Sequence, residues 1–315
     1  MSNLRFCVIG GESAAPLKTA IDANPRTSIV SVAPAAGDEW RAALGQADVD
    51  AIAVFGGTED AVDVCEAALL SGKHVLSSAP PARTIEEIIR IRRAESAAMG
   101  KAVKFLMPLR QHASVKSALN IATSGVLGRQ LTMRGVYGAS DRSPGALLRH
   151  GFHMLDLMHG FSGPFEDVQG MVAQSQEELD GAERNAFAVL RTNKGVLAQL
   201  HVSTTSWRHT FRLELGFERG YLWLDGLRGP NMDFAPEMFI IGRVQTDGEG
   251  RELPNPDEEI HEMTDTPTAD ETLTAFLDAV DGGSGGWLGT TKQVFDAINT
   301  VQRIYALDHS WDAEA

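Results

Sequence analysis

Residues 4–15, LRFCVIGGESAA, contain the pattern from which the fold class can be predicted. It begins with an apolar run of strand formers, which stops at Gly10-Gly11 and is followed by a helix-like segment at 14–23. The same succession of strand, turn and helix recurs over residues 1–125. Near-continuous apolar strands joined by helices predict a parallel sheet that is covered on both faces. The strand-like runs lie at 4–9, 28–33, 49–55, 73–77 and 102–107.

Two local signals mark helix ends within this pattern. Thr84 and Glu87 form a T-x-x-E capping box, which predicts that a helix begins after Thr84. A second helical pattern at 112–124 closes at Gly125, a residue that suits a helix C-terminus. We therefore expect helix boundaries at these residues.

The pattern changes after Gly125. Between residues 131 and 224 apolar and polar residues alternate, with hairpin-like turns at 193–195 and 218–220. This alternation predicts a large, mostly antiparallel sheet with one packed face and one open face. The tract 245–268 is polar and acidic and predicts loops and edge strands, and two further helices are expected at 269–281 and 289–307.

Composition excludes several classes of function. The 315 residues suffice for roughly two domains, and the net charge of −14 disfavours a nucleic-acid backbone as partner. Cys7 and Cys65 match neither a metal-binding spacing nor a secreted disulfide framework. The sequence contains no run of about eighteen apolar residues, which is the length that a membrane-spanning helix needs. We expect a soluble, cytoplasmic protein with no metal, nucleic-acid or membrane partner.

The order of four motifs resembles the Gfo/Idh/MocA family. The motifs are GKHV at 72–75, SGVLG at 124–128, GFHMLD at 151–156 and LELG at 213–216. The resemblance implies an α/β chain with an N-terminal Rossmann dinucleotide-binding domain at 1–125. It implies a C-terminal substrate and oligomerisation domain at 126–315, whose open sheet would join subunits into a homodimer or homotetramer. It also implies NAD(P)-dependent chemistry on a hydroxyl of a sugar, cyclitol or related polyol.

The resemblance assigns the nicotinamide cofactor, NAD or NADP, to the carboxyl ends of the first strands. The turn after the first strand would hold the pyrophosphate, because glycines let backbone amides and a helix N-terminus approach it. Residues after the third and fourth strands would lie near the nicotinamide. The cofactor-binding positions are Gly10, Gly11, Ser13, Gly56, Gly57, Thr58 and Ser78.

Three positions depart from the family pattern for that cofactor. Glu12 occupies the place of the second glycine and adds bulk and negative charge near a pyrophosphate. Ala33 lies where a ribose-binding carboxylate is expected, with Asp38 as the nearest substitute, and Ala79 replaces the family lysine. We expect NAD or NADP to bind weakly or in a shifted position. Alternatively, Glu12 caps the helix N-terminus, where a negative side chain is favourable.

His153 occupies the position of the family's catalytic histidine. The carboxylate that precedes this histidine by four residues in the family is replaced by Arg149. Beside an arginine the imidazole should stay neutral, which still permits it to act as a base. Asp156 would either orient the ring or cap a helix. The alternative for His153 is a structural role ahead of an apolar helix.

A basic group in this acidic chain predicts an anionic ligand in the cleft between the domains. Guanidinium groups bind carboxylates and phosphates through two parallel hydrogen bonds. The alternative is that these side chains pair with carboxylates of the protein itself. The predicted substrate-binding residues are Arg110, His112, Arg149 and His150.

Two functions follow from these observations. The first is an NAD(P)-dependent oxidoreductase with altered catalytic residues, acting on a sugar, cyclitol or related polyhydroxy small molecule, acidic ones included. The second is a member with little or no cofactor binding that acts as a ligand-binding, regulatory or accessory protein, or as a non-redox enzyme. Glu12, Ala33, Ala79 and Arg149 favour the second, since a fold alone does not determine an activity.

Overall fold

A computed structural model describes residues 3–34, 39–46, 48–55, 61–143, 145–174, 183–228 and 234–307. The chain divides into two compact units. Unit 1 comprises Met1–Met107 and Thr268–Ile298, and unit 2 comprises Pro108–Pro267 and Asn299–Ala315.

Strands and helices alternate in the first part of the chain, and strands dominate the second. The strands are β1 (Leu4–Ile9), β2 (Thr27–Ala33), β3 (Ala51–Val54), β4 (His74–Ser77), β5 (Val103–Phe105), β6 (Gln130–Gly138), β7 (Phe165–Gln174), β8 (Glu183–Thr192), β9 (Leu197–Ser203), β10 (Thr210–Phe217), β11 (Gly220–Leu227), β12 (Phe234–Arg243) and β13 (Glu258–Met263). The α-helices are α1 (Ala15–Ala23), α2 (Glu39–Leu44), α3 (Ala61–Leu70), α4 (Ile85–Ala97), α5 (Ala113–Ser124), α6 (Phe152–Ser162), α7 (Ala269–Val280) and α8 (Thr291–Leu307).

Unit 1 is built on a five-stranded sheet of order β2-β1-β3-β4-β5. All its strand pairs are parallel, as predicted. Strands β1, β3 and β4 are mostly buried, as expected for a sheet covered on both faces, whereas the edge strand β2 exposes Val30 and Val32. The chain order reverses between β1 and β3. In open parallel sheets a ligand crevice forms outside the carboxyl ends of the strands at such a switch point.

Helix α7 completes the core of unit 1, although it lies far along the sequence. Phe276 of α7 packs with Phe6 of β1, their ring centroids 5.9 Å apart, and Leu17 of α1 belongs to the same buried cluster. This burial of apolar side chains explains why 268–298 groups with the first strands. The predicted domain boundary between residues 125 and 126 divides the chain differently from units 1 and 2. It stays a prediction.

Unit 2 is built on an eight-stranded sheet of order β13-β12-β11-β10-β6-β9-β8-β7. Only the β6–β9 pair is parallel among the strand pairs of this sheet, so the predicted, mostly antiparallel sheet is confirmed. Helix α6 packs on β6 at Gly135, where a Cβ atom would lie 2.9 Å from Cγ of Met154. The absence of a side chain at this glycine lets the helix approach the strand closely.

The described ranges contain neither a membrane-spanning helix nor a metal-binding cluster. None of the described helices is both long and apolar enough to cross a membrane. The same residues contain no group of three or more His, Cys, Asp or Glu side chains that could hold a metal ion. The cytoplasmic location stays a prediction.

The close approach of two strand ends generates a prediction for stability. Gly10 adopts φ +150°, and a Cβ atom there would lie 2.5 Å from the carbonyl oxygen of Phe55. We expect Gly10→Ala to lower the free energy of unfolding by about 2–6 kcal/mol, because backbone strain and overpacking each cost about 1–3 kcal/mol. Denaturant unfolding measures it.

The neighbouring glycine provides a matched control. A Cβ atom at Gly11 would meet nothing within 4 Å, and its backbone has φ −89° and ψ −145°, without the positive φ of Gly10. Gly11→Ala therefore lacks both the close contact and the positive φ, and it should lower the free energy of unfolding by about 1 kcal/mol or less. Equal effects of the two substitutions would contradict the packing described here.

Candidate functional site

The carboxyl ends of three strands are joined by backbone hydrogen bonds at the switch point of unit 1. The amide of Phe55 donates to the carbonyl of Ile9 at 2.8 Å, and the amide of Ser78 donates to the carbonyl of Val54 at 2.8 Å. The turns that follow β1, β3 and β4 therefore start side by side. Gly10, Gly11, Ser13 and Ser78 lie in two of these turns, and Gly56, Gly57 and Thr58 lie outside the described residues.

The turn after β1 partly fits a dinucleotide. Gly10 is buried, whereas Gly11, Glu12 and Ser13 are exposed at the start of a short 3-10 helix, Glu12–Ala14, that leads into α1. Exposure keeps the Glu12 carboxylate in water, so it does not fill the turn. The backbone can thus receive a pyrophosphate, at the cost of a nearby negative charge.

Two side chains that the family pattern requires are missing at this edge. Ala33 ends β2 and is buried, so it cannot bind a ribose hydroxyl. Ala79 follows β4 and offers neither charge nor a side-chain hydrogen bond. Asp38, the nearest substitute for the ribose carboxylate, lies outside the described residues. The fit of a dinucleotide in unit 1 therefore depends on main-chain groups.

The candidate site in unit 2 is carried by a π-helical turn, Leu147–Gly151, that runs into α6. This turn bears Arg149 and His150, and His153 is the second residue of α6. Single π-helical turns often occur at functional sites, because they reorient side chains within a helix. The turn was not foreseen, since no local sequence signal distinguishes it from an α-helix.

Glu183 anchors the start of this turn. Its Oε1 accepts hydrogen bonds from the amide of Leu147 at 2.6 Å and from the hydroxyl of Tyr305 at 2.9 Å. Burial raises the pKa of the Glu183 carboxyl, although these two donors oppose the rise. The buried carboxylate thus satisfies a helix-start amide for which Ala146, the N-cap residue, supplies no side-chain bond.

Asp141 brings a carboxylate to the π-helical turn. Its Oδ2 lies 3.5 Å from Nε2 of His150 and 4.0 Å from Nη2 of Arg149. Its Oδ1 accepts hydrogen bonds from the amide of Ser143 at 3.1 Å and the Ser143 hydroxyl at 2.8 Å. Burial would raise the Asp141 pKa, but the Ser143 donors and the neighbouring positive charges hold it below its usual value.

The imidazole of His150 lies on an aromatic ring. Its centroid is 4.7 Å from that of Tyr137, with 12° between the planes. The pKa of His150 is lowered first by burial; Asp141 opposes this shift, whereas Arg149 and His209 add to it. Burial, with a smaller contribution from Asp141, raises the pKa of Tyr137 to about 12. Both rings are therefore neutral at pH 7.

His209 and Phe234 extend this group toward a cavity. Nε2 of His209 lies 2.8 Å from Oγ of Ser140, and the Phe234 ring is 5.0 Å from His209 and 5.2 Å from Tyr137. A cavity of about 330 Å³ adjoins these residues. It is lined by Arg134, Val136, Arg208, His209, Thr210, Phe211, Arg212, Glu214, Asp225, Phe234 and Ala235.

Asp156 is paired with an arginine. Its carboxylate binds Arg110 through two bonds, Nε to Oδ2 at 2.6 Å and Nη2 to Oδ1 at 2.5 Å. The Asp156 side chain is 3% exposed, and burial raises its pKa although Arg110 opposes the rise. His153 is half-buried, and its ring meets that of Phe152 edge-on at 5.1 Å. Catalytic roles for His153 and Asp156 stay predictions.

His112 is also paired with a buried carboxylate. Its Nδ1 lies 2.8 Å from Oε2 of Glu237, whose Oε1 accepts from the amide of Ser114 at 2.9 Å. Burial would raise the pKa of Glu237, but the His112 and Ser114 donors hold it below its usual value. Sequence reasoning missed Glu237, because it is 125 residues from His112 and no local pattern points to it.

The four predicted anion-binding residues are therefore divided among three carboxylates of the protein. Arg110 contacts Asp156, His112 contacts Glu237, and Arg149 and His150 share Asp141. Arg149 is the most exposed of the four, with 55% of its side chain accessible. An anionic ligand that binds all four residues would have to compete with these carboxylates. The anion site stays a prediction.

Comparison with known proteins identifies the family of unit 2. Residues 117–223 match the model of the GFO/IDH/MocA C-terminal domain. The chain thus carries a Gfo/Idh/MocA C-terminal domain, and the family resemblance given by its motifs is confirmed. No curated protein shows a significant match to the sequence.

Solved structures share the fold over nearly the whole chain. KijD10, a 3-ketoreductase from Actinomadura kijaniata in complex with TDP-benzene and NADP, is 19% identical over 98% of each chain, with a TM-score of 0.77. An oxidoreductase domain protein from Kribbella flavida is 17% identical over 98% of each chain, with a TM-score of 0.81. Levoglucosan dehydrogenase, in complex with NADH and L-sorbose, is 15% identical over 99% of this chain and 98% of its own, with a TM-score of 0.79. At these sequence identities, the similarity shows that this chain shares the fold of the three structures.

The Arg110–Asp156 pair generates the prediction for this site. Asp156→Asn should lower the free energy of unfolding by about 3–5 kcal/mol, because it leaves a poorly exposed guanidinium without its carboxylate. Urea unfolding at pH 7 measures the change. The matched control is Glu218→Asn, which removes an exposed partner of Arg129 and should cost about 1 kcal/mol or less.

The double substitution Arg110→Met with Asp156→Leu removes both charges. It should recover much of the stability lost in Asp156→Asn, because neither charge is left buried alone. A double variant as unstable as the single one would show that the pair does not anchor α6 in this way.

Proposed function

We propose that this protein is an NAD- or NADP-dependent oxidoreductase that interconverts a hydroxyl and a carbonyl group on a sugar, cyclitol or related polyhydroxy small molecule. The observation that carries the proposal is the match of residues 117–223 to the Gfo/Idh/MocA C-terminal domain, in a chain that begins with a Rossmann-type sheet. Two proteins of the same fold are described with NADP or NADH and with sugar-type or nucleotide ligands, which supports this class of substrate.

The cofactor would be held by main-chain groups of unit 1. Gly10, Gly11 and Ser13 would receive the pyrophosphate at the turn before α1, and Ser78 would lie near the nicotinamide with Gly56, Gly57 and Thr58. When bound, the nicotinamide supplies the acceptor or donor of a hydride. The exposed Glu12 carboxylate places a negative charge beside the pyrophosphate and should weaken its binding.

His153 is our candidate for the proton transfer. In the oxidation direction the His153 imidazole would accept the proton of the substrate hydroxyl, while the carbon that bears this hydroxyl would give up the hydride for which a bound nicotinamide is the acceptor. Reduction would reverse both transfers. Ala79 cannot take part, since it has no ionisable group. Asp156 would act on this step through α6, which its pairing with Arg110 holds in place.

Glu12 provides the first test. We expect Glu12→Gln to lower the Kd for NAD⁺ or NADP⁺ about fivefold, since removal of one charge near the pyrophosphate relieves a repulsion of about 1 kcal/mol in water. Titration calorimetry with NAD⁺, NADH, NADP⁺ and NADPH measures the binding. Glu86→Gln is the matched control, because Glu86 is exposed on α4 of the same unit and should have no effect.

The same titration decides between the two classes of function. Four substitutions relative to the family pattern favour a protein that binds a polyhydroxy ligand without hydride transfer, namely Glu12, Ala33, Ala79 and Arg149. Binding of a polyol with no response to millimolar dinucleotide would support that second function. It would also exclude the oxidoreductase.

We further propose that subunits associate through the outer face of the unit 2 sheet, as a homodimer or homotetramer. That face exposes large apolar side chains, and monomers rarely expose contiguous patches of this kind. Phe187 stacks on His201 there at 4.0 Å, and the register places Met171 beside Phe187 and Arg191 beside Leu197. The exposed apolar residues are Met171 (72%), Phe187 (49%), Val189 (59%), Leu197 (53%) and Ile260 (56%).

Charge favours a second copy as the partner on this face. Arg212 pairs with Asp225 at 2.5 Å, and Arg134 lies 3.9 Å from Glu214. Arginines and carboxylates thus alternate across the central strands, so two identical faces can meet without net repulsion despite the net charge of −14.

Val189→Glu should dissociate the assembly, because it places an uncompensated charge among apolar side chains. We expect the molar mass from light scattering, at about 10 µM protein, to fall to that of one chain. Met99→Glu is the matched control, since Met99 is 89% exposed on unit 1. A wild-type protein that is already monomeric would contradict the assembly proposal.

A further inference from the structure

Position 149 lacks the carboxylate of the family motif, but Asp141 brings a carboxylate to the same helical turn. Arg149 stands where the family motif has an acidic residue, and the nearest carboxylate comes from Asp141 instead. That carboxylate lies 3.5 Å from His150, the residue that follows Arg149. A carboxylate and an imidazole therefore lie side by side on the π-helical turn, at residues that differ from those of the motif.

We propose that Asp141 and His150 form a carboxylate–imidazole pair that orients His150 to accept a hydrogen bond from a hydroxyl of a polyhydroxy ligand. The pair would determine how the ligand binds, while His153 keeps the proton transfer. This inference rests on the proposed function only for the class of ligand.

The position of the proton on the ring follows from the partner. Nε2 of His150 is buried, makes no hydrogen bond within the described residues and lies 3.5 Å from Oδ2 of Asp141. A carboxylate only accepts hydrogen bonds, so we place the hydrogen of the neutral ring on Nε2, where a small shift of either side chain would bond it to Asp141. Nδ1 then has the lone pair and is an acceptor. This is the arrangement by which carboxylates set the tautomer of functional histidines.

Two contacts hold the pair in this geometry. The hydroxyl and amide of Ser143 bind Oδ1 of Asp141, which leaves Oδ2 directed at His150 and Arg149. Tyr137 supports the ring from one face at 4.7 Å. An imidazole that is fixed at its edge and its face loses little entropy when a ligand binds.

The carboxylate of this pair is more exposed than the carboxylates that bind Arg110 and His112. The side chain of His150 is 17% exposed and that of Asp141 is 40% exposed, whereas the carboxylates that pair with Arg110 and His112 are 3% and 0% exposed. Nε2 of His150 is buried against Asp141, so a ligand would meet the exposed remainder of the ring. The rings of Tyr137 and Phe234 add apolar surface, and Ser140 with His209 adds further polar groups beside it.

Burial and the neighbouring groups keep the His150 ring neutral, which is the state in which it can accept a hydrogen bond. The charged and titratable groups that face His150 are Asp141, Arg149, His209 and Tyr137. Burial, Arg149 and His209 lower the pKa of His150, and Asp141 raises it. The ring is therefore neutral at pH 7, and it should lose the acceptor as the pH falls through its lowered pKa.

The pair is tested first without a ligand, by NMR titration of the histidine side chains in the full chain. The pKa of His150 should lie below 6.5 in the wild type. It should fall further in Asp141→Asn, which removes the carboxylate that raises it, and rise in Arg149→Gln. His74, whose pKa is lowered by burial in unit 1, should titrate identically in all three proteins. An unchanged His150 titration in Asp141→Asn would overturn the pair.

The role in binding is tested with L-sorbose, myo-inositol and D-glucuronate as probes, with the cofactor present. For a probe that is turned over, His150→Gln and Asp141→Asn should raise KM about tenfold and change kcat less than threefold, as expected when one hydrogen bond to the substrate is lost. Asp141→Glu should restore part of the affinity. His153→Gln should instead lower kcat by about a hundredfold or more.

The outcomes separate this inference from the proposed function. If no dinucleotide binds but a probe still shifts the His150 resonances, the oxidoreductase is excluded and the pair stands. If a dinucleotide binds but no probe perturbs His150, or if probes bind His150→Gln as tightly as the wild type, the inference is overturned and the cofactor site is unaffected.

Discussion

A carboxylate that leaves water must find hydrogen-bond donors or a positive charge, and this requirement organises the second unit. Asp156 binds Arg110, Glu237 binds His112 and the amide of Ser114, and Glu183 binds the start of the π-helical turn. Each contact joins a helix to a residue from another part of the unit. The helix that carries the candidate histidines is thereby held at both its π-helical start and its middle.

These pairings limit which groups can serve a ligand. Arg110 and His112 are basic residues near a predicted site, but each is already in contact with a buried carboxylate. Asp141 is different, because it is partly exposed and faces both His150 and Arg149. The groups that remain accessible are a neutral imidazole, aromatic rings, hydroxyls and the Arg149 guanidinium, which suit a polyhydroxy ligand, an acidic one included.

The first unit keeps the backbone of a dinucleotide-binding sheet, but several of its side chains differ from the Gfo/Idh/MocA pattern. Gly10 packs against the carbonyl of Phe55, as the close approach of β1 and β3 requires, so the backbone of the switch point is kept. Glu12 and Ala79 change the charge and remove the ammonium group at the same edge. Since catalysis depends on positioned charged groups, the fold alone does not establish the activity.

Elements with local causes can be predicted from the amino-acid sequence. The apolar run 4–9 with Gly10 predicts the first strand and its turn, the Thr84–Glu87 capping box forms as predicted, and Gly125 ends α5 at φ +75°. These features depend on residues a few positions apart. The pairing of Asp156 with Arg110, 46 residues earlier, and the contact of Asp141 with His150 arise from the three-dimensional fold. Such pairs depend on strand order and helix placement, which bring distant residues together and which no local periodicity encodes.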